Sequence, residues 1–272
     1  MKLLDGRVVK QSIMANLNDK LSVIDDRLCF VVIYVSTNDV SDIYINSKKR
    51  MAHEVGYDLE IVKLDKDIDT DYLLKVIDKY NIDDDVDGIM VELPLPSYID
   101  YNLVRNRINP LKDIEGVNDI NSNSMKVISP VAMGVRDILN YYNINLFNKN
   151  VVIVGRSVLV GMSLYNMFIK NNMTVKLCHS KTNNLSSYTK NADILIVCVD
   201  KSNFINGSMV KKDAVVIDIG TNVVDGKLCG DVDFDSVSNK ASFLTPVPFG
   251  VGQVTSIELG YNIYNCYVNK KI

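Results

Sequence analysis

The stretch 40-VSDIYINSKKR-50 places Ser41, Tyr44 and Lys48 at steps of three and four residues. On an α-helix those steps stack a hydroxyl, a phenol and an ammonium on one face. Such a face can bind a polar substrate and move protons around it, and the same spacing also suits a plain solvated surface. One residue is about 100° of helical turn, so Lys49 cannot share the direction of Lys48. Only Lys48 aligns with Ser41 and Tyr44.

A second stretch with chemical content is 150-NVVIVGRSVLVG-161, a strand-like run that enters a glycine turn ahead of a helix. That order suits a dinucleotide site, where turn amides and a helix N-terminus face the pyrophosphate. Ser157 stands at the second glycine of G-x-G-x-x-G, so the pattern is incomplete, and strand–turn–helix junctions often hold glycine without binding anything. Arg156 in the turn and 178-CHSKT-182 after the next strand-like run add cationic and hydroxyl groups. The end of that second strand is where such a fold reads the adenosine ribose. Ser180 and Lys181 stand where an NAD site carries Asp or Glu, which favours a 2′-phosphate and hence NADP.

These groups need elements to hold them. Helical apolar stripes fall at 9–24, 40–55, 70–80, 131–142, 161–172 and 253–269. Strand-like runs fall at 29–35, 58–64, 86–93, 150–154, 174–178, 193–199 and 214–220. The alternation predicts an α/β fold with largely parallel sheets and helices on their faces, in two α/β halves. A run of turn-forming residues, GVNDINSNS, puts the junction near 116–130, and Pro130 suits the first turn of the helix that follows.

Composition bounds the function. A length of 272 residues accommodates two domains, and 47% hydrophobic with 23% charged residues is the balance of a soluble globular chain. A net charge of −3 offers no basic surface for nucleic acid. The longest apolar runs, 29–35 and 194–199, fall far short of the ~20 residues that span a bilayer. The N-terminus lacks a secretory pattern. Five cysteines without a CxxC read as free thiols in a reducing compartment, and two separated histidines are too few for a His-rich metal site. The expectation is a cytoplasmic protein with no nucleic-acid, membrane or metal partner.

Taken in order, LDG at 4–6, the Ser41/Tyr44/Lys48 helix, VDGIMVELPLP at 86–96, KDIEG at 112–116, GRSVLVG at 155–161, CHSKT at 178–182, IDIGTN at 217–222, GDVDF at 230–234 and TPVPFGVGQVT at 245–255 resemble the methylenetetrahydrofolate dehydrogenase/cyclohydrolase family. The resemblance runs nearly end to end. It implies a folate-binding catalytic domain (1–120 with 255–272) and a Rossmann NADP-binding domain (121–254), with substrate in a cleft between them, in a homodimer. It implies oxidation of 5,10-methylenetetrahydrofolate by NADP and hydrolysis of the methenyl product to 10-formyltetrahydrofolate. It further implies Lys48 as the central catalytic group with Tyr44, Glu92 and Glu115. Gly155, Arg156, Ser157, Ser180 and Thr221 would bind the cofactor. The substrate would meet Tyr44, Lys48, Glu92, Glu115, Pro248 and Gly250.

Six positions in four segments depart from the family pattern. Glu92 replaces the glutamine of VQLPLP; ionised, it would favour the ammonium form of Lys48, whereas hydrolysis needs a neutral amine. A protonated Glu92 would instead mimic the amide, and the alternative is a dehydrogenase whose cyclohydrolase step is weak or lost. Glu115 replaces the aspartate of KDVDG that contacts the pterin, adding one methylene. Phe249 and Gln253 replace a glycine and a proline of PVPGGVGPMT, so either that glycine did not need φ > 0 or the loop is rebuilt. Asp200 and Lys201 occupy a small loop near the cofactor that usually holds glycine and proline.

Overall fold

The computed structural model describes the backbone of residues 1–35 and 40–271 and the side chains of the same residues except 40–44. The chain divides into two compact units, Ile13–Pro130 with Ser256–Ile272, and Met1–Ser12 with Val131–Thr255. The division falls within the two helices α1 (Gly6–Leu21) and α10 (Val251–Lys271).

The first unit is built on a three-stranded parallel sheet in the order β3 (Asp58–Leu64), β2 (Cys29–Val35), β4 (Gly88–Val91). Alternation along β2 feeds two cores. Phe30, Val32 and Tyr34 pack with Ile45, Met51 and Ala52 of α2 (Val40–Val55) and with Leu259, Ile263 and Cys266 of α10. Val31, Ile33 and Val35 pack with Leu73, Ile77 and Tyr80 of α3 (Thr70–Asn81) and with Val104 of α4 (Tyr101–Arg107). Burial on both faces explains why β2 reads as one continuous apolar run instead of alternating. The strand expected over 86–93 is shorter at both ends, and the Glu92 N–H makes its last bond to β2 before the prolines that follow.

The second unit carries a six-stranded parallel sheet, ordered β1 (Lys2–Leu3), β11 (Phe243–Leu244), β8 (Val215–Asp218), β7 (Ile194–Val197), β5 (Asn150–Val154), β6 (Thr174–Cys178). An antiparallel hairpin, β9 (Asn222–Val224) with β10 (Lys227–Cys229), stands apart from it. Lys2 and Leu3 pair with Phe243 and Leu244, and the first dozen residues cluster with this unit. Helix α6 (Pro130–Tyr141) begins at a proline, as that residue's fixed φ favours. The helix expected over 161–172 arrives as a π-helical turn, Val158–Met162, followed by α7 (Ser163–Lys170).

The 246–253 loop answers the question posed by Phe249. Its φ is +81°, so the phenylalanine holds a left-handed conformation that glycine adopts freely. Its carbonyl accepts from Gly6 N–H at 2.8 Å, and its half-exposed ring lies 4.8 Å from the Arg7 guanidinium, which is itself clamped by Asp5. Gln253 N–H donates to Gly250 O at 3.2 Å, a bond proline could not make. Strain of roughly 1–2 kcal/mol at φ > 0 is opposed by a cation–π contact of about 0.5–1 kcal/mol. Phe249→Ala, which keeps the strain and loses the ring, is therefore expected to lower stability by about 0.5–1 kcal/mol, and Phe249→Gly to recover it. Urea denaturation of the three proteins checks the order; Ala at or above Gly would refute it.

Candidate active site

Helix α2 forms from 40 to 55 as its periodicity predicts and presents Lys48 partly buried, while Lys49 faces solvent. The side chains of Ser41 and Tyr44 lie outside the described residues. Glu92 follows directly on β4, with its N–H bonded to Ile33 O at 2.8 Å, so the sheet fixes it at the carboxyl ends of β2 and β4. The Lys48 Nζ lies 2.9 Å from Glu92 Oε2, with side chains 15% and 9% exposed. The contact is an ion pair by distance, although that oxygen accepts no aligned hydrogen bond among the described residues.

Glu115 joins this pair through the 112–118 segment. That segment is held against β4, since Ile89 N–H donates to Lys112 O at 2.6 Å and Ile89 bridges Asp113. Asp113 is wholly buried and accepts from Val117 N–H, Asn118 N–H and Asn121 Nδ2. Its role is to pin the loop, and Glu115, two residues on, is the carboxylate that feels the charges of Lys48 and Glu92. Burial pushes the Glu115 carboxyl up to about 8; the charge of Glu92 adds to the rise and the Lys48 ammonium opposes it. Tyr101, at the start of α4, feels the Glu115 charge, and burial raises its phenol further. Sequence reasoning missed Tyr101 because the short α4 carries no periodic signal.

In the other unit the expected cofactor residues gather at the carboxyl ends of β5, β6 and β8. The winding reverses at β5, with β6 on one side and β7 on the other, which is where open α/β sheets bind ligands. Gly155 has φ +124°, and a side chain there would run into the Cys198 carbonyl at the end of β7. The turn is therefore a close-packed cradle that only glycine completes. Arg156 and Ser157 are exposed beyond it, as are Ser180 and Lys181 past β6 and Thr221 past β8. His179 organises the β6 turn, with its N–H on Thr182 Oγ1 and its Nδ1 accepting from Lys181 N–H. No carboxylate stands between Cys178 and Thr182. A glycine cradle with exposed cationic and hydroxyl groups suits the phosphates of a dinucleotide. Pro248 is exposed in the 246–253 loop, and Gly250 is buried beneath it.

The loops at this sheet edge are fixed by two buried acids. Asp218, 3% exposed at the end of β8, accepts from Gly220, Asp231 and Val232 N–H. Burial nevertheless pushes its carboxyl up to about 7 against those three amides. Asp218 and Glu115 thus both sit above their unfolded values. The stability they contribute is fully present below about pH 4 and is lost as pH rises through about 7 and about 8. Unfolding free energy is expected to drop by about 3 kcal/mol or more between pH 5 and 9, and by less in Asp218→Asn. Urea titrations at the two pH values check this; a stability rising with pH would contradict it.

The family model of the tetrahydrofolate dehydrogenase/cyclohydrolase catalytic domain matches residues 4–115, and that of the family's NAD(P)-binding domain matches residues 129–271. A bifunctional protein FolD from Ligilactobacillus salivarius is 41% identical over 262 residues, covering 93% of this chain and 92% of that protein. The crystal structure of a bifunctional FolD methylenetetrahydrofolate dehydrogenase/cyclohydrolase from Campylobacter jejuni superposes with a TM-score of 0.93 at 36% identity, covering 99% of each chain. A Trypanosoma brucei FolD complexed with NADP cofactor and inhibitor gives 0.92 at 25% identity over 98% of this chain and 97% of that one. Among the described residues no helix is long and apolar enough to cross a membrane. With the Lys48 cluster in the segment matched as catalytic and the Gly155 cradle in the segment matched as NAD(P)-binding, the chain belongs to the tetrahydrofolate dehydrogenase/cyclohydrolase family.

Proposed function

We propose that this chain oxidises 5,10-methylenetetrahydrofolate with NADP and hydrolyses the methenyl product to 10-formyltetrahydrofolate, acting as a cytoplasmic homodimer. The observation that carries this reading is the Lys48–Glu92 ion pair at the carboxyl end of the three-stranded sheet, with Glu115 within electrostatic reach of both. NADP, when bound, supplies the acceptor for the hydride. Gly155, Arg156 and Ser157 would hold its pyrophosphate, Ser180 and Lys181 its 2′-phosphate, and Thr221 the nicotinamide end.

The residues of the other unit handle the folate. The Glu115 carboxylate, when ionised, accepts from the pterin amino group and ring N–H, a pair of donors that matches two carboxylate oxygens. Loss of hydride leaves an amidinium-like cation, which a protonated lysine would oppose. In its neutral form, Lys48 Nζ takes a proton from the water that attacks that cation and later returns it to the departing ring nitrogen. Glu92 sets the charge beside Lys48, and Tyr44, Pro248 and Gly250 are the further residues assigned to the substrate by the family pattern.

A single spectrophotometric time course tests the reading. With 5,10-methylenetetrahydrofolate and NADP, NADPH is expected to rise while methenyl stays at its uncatalysed trace. Methenyl accumulating in step with NADPH would remove the hydrolytic half, and no NADPH with either NADP or NAD would remove the whole.

A further inference from the structure

Asp231 is wholly buried, and its two oxygens gather four donors from two separate turns. Oδ2 accepts from Val199 N–H at 2.6 Å and Asp200 N–H at 3.1 Å; Oδ1 accepts from Lys201 N–H at 2.7 Å and Asn222 Nδ2 at 3.0 Å. Three consecutive amides converging on one carboxylate curl the turn after β7 and hold Asp200 at φ +53°. That turn begins at Cys198, whose carbonyl packs against Gly155. Asn222 ties in the turn after β8, next to Thr221. Gly220 has no side chain because a Cβ there would occupy the place of the Asp231 carboxylate.

We infer that Asp231 is a positioning residue for the dinucleotide: it touches no ligand, but it locks the β7 and β8 turns in the register that the Gly155 cradle requires. A carboxylate is needed for this, since all four partners are donors and an amide would turn its own N–H groups toward two of them. The inference rests on the function proposed above, and it exploits a division within that function. Hydrolysis of supplied methenyltetrahydrofolate consumes no NADP, so it reports on the folate site alone.

In Asp231→Asn, the KM for NADP is expected to rise tenfold or more, and NADP affinity by equilibrium dialysis to fall in parallel. The KM for methylenetetrahydrofolate and the rate of methenyl hydrolysis are expected to stay within twofold of wild type. Unchanged NADP affinity would overturn the assignment, as would a loss of all activities together in a folded protein. If Asp231→Asn does not fold, Asn222→Ala removes one donor of the four and decides the matter: about a threefold weakening of NADP binding supports the role, and none refutes it. A wild-type protein that binds NADP but turns over no folate would overturn the proposed function while leaving the dialysis comparison intact.

Discussion

Lys48→Met is expected to lower methenyl hydrolysis by about 10³-fold, within the span usual for loss of a positioned acid–base group. Methionine keeps the length and much of the packing of the lysine stem, so the site should not collapse. What remains is a carboxylate, Glu92, 8% exposed and stripped of the ammonium 2.9 Å away. Removing one partner of a fully buried pair costs about 3–5 kcal/mol. The Lys48 side chain retains 15% exposure, so about 1–3 kcal/mol is the expected loss at pH 7. The double variant Lys48→Met with Glu92→Gln should regain the stability and none of the activity. Rates and urea midpoints of the three proteins test both halves. A single variant that keeps a tenth of the wild-type rate would move the catalytic role off Lys48.

Much of this arrangement is legible in the sequence, for identifiable reasons. The strands 29–35, 58–64, 150–154 and 174–178 and the helix 40–55 form where periodicity places them, because each buries its apolar residues against neighbours on the same pattern. Lys48 and Glu92 meet because one sits on the helix that follows β2 and the other ends the neighbouring strand. The two-residue strands β1 and β11 are too short to show periodicity, and β1 exists only through pairing with β11 across some 240 positions of chain. The same holds for Asp231, whose carboxylate gathers amides from a turn some thirty positions away and therefore has no local signature. Phe249 shows tertiary contacts overriding a local preference, as the Gly6 hydrogen bond and the Arg7 stack hold a backbone that the residue itself disfavours.

The second large effect belongs to Glu92→Gln. The Glu115 carboxyl sits at about 8, raised first by burial and then by the charge of Glu92. At pH 7 about one molecule in ten therefore carries an ionised Glu115, the form that accepts the pterin donors. Glutamine keeps a hydrogen-bonding group beside Lys48 and deletes the charge. Two forces on Glu115 then change together: the repulsion from Glu92 disappears, and the Lys48 ammonium, no longer paired with Glu92, attracts Glu115 instead. The ionised fraction of Glu115 rises although burial still opposes it, and KM for methylenetetrahydrofolate at pH 7 is expected to fall, by no more than the about tenfold that full ionisation would give. At pH 9, where Glu115 is ionised in both proteins, the two KM values should converge. Folate KM measured at pH 6, 7, 8 and 9 separates the outcomes. A wild-type KM that falls tenfold per pH step below 8, beside a variant profile displaced to lower pH, identifies Glu92 as a residue that sets the working pH of this site. Two flat profiles would mean that Glu115 meets the pterin as the neutral acid, and that the glutamine-to-glutamate exchange acts on Lys48 alone.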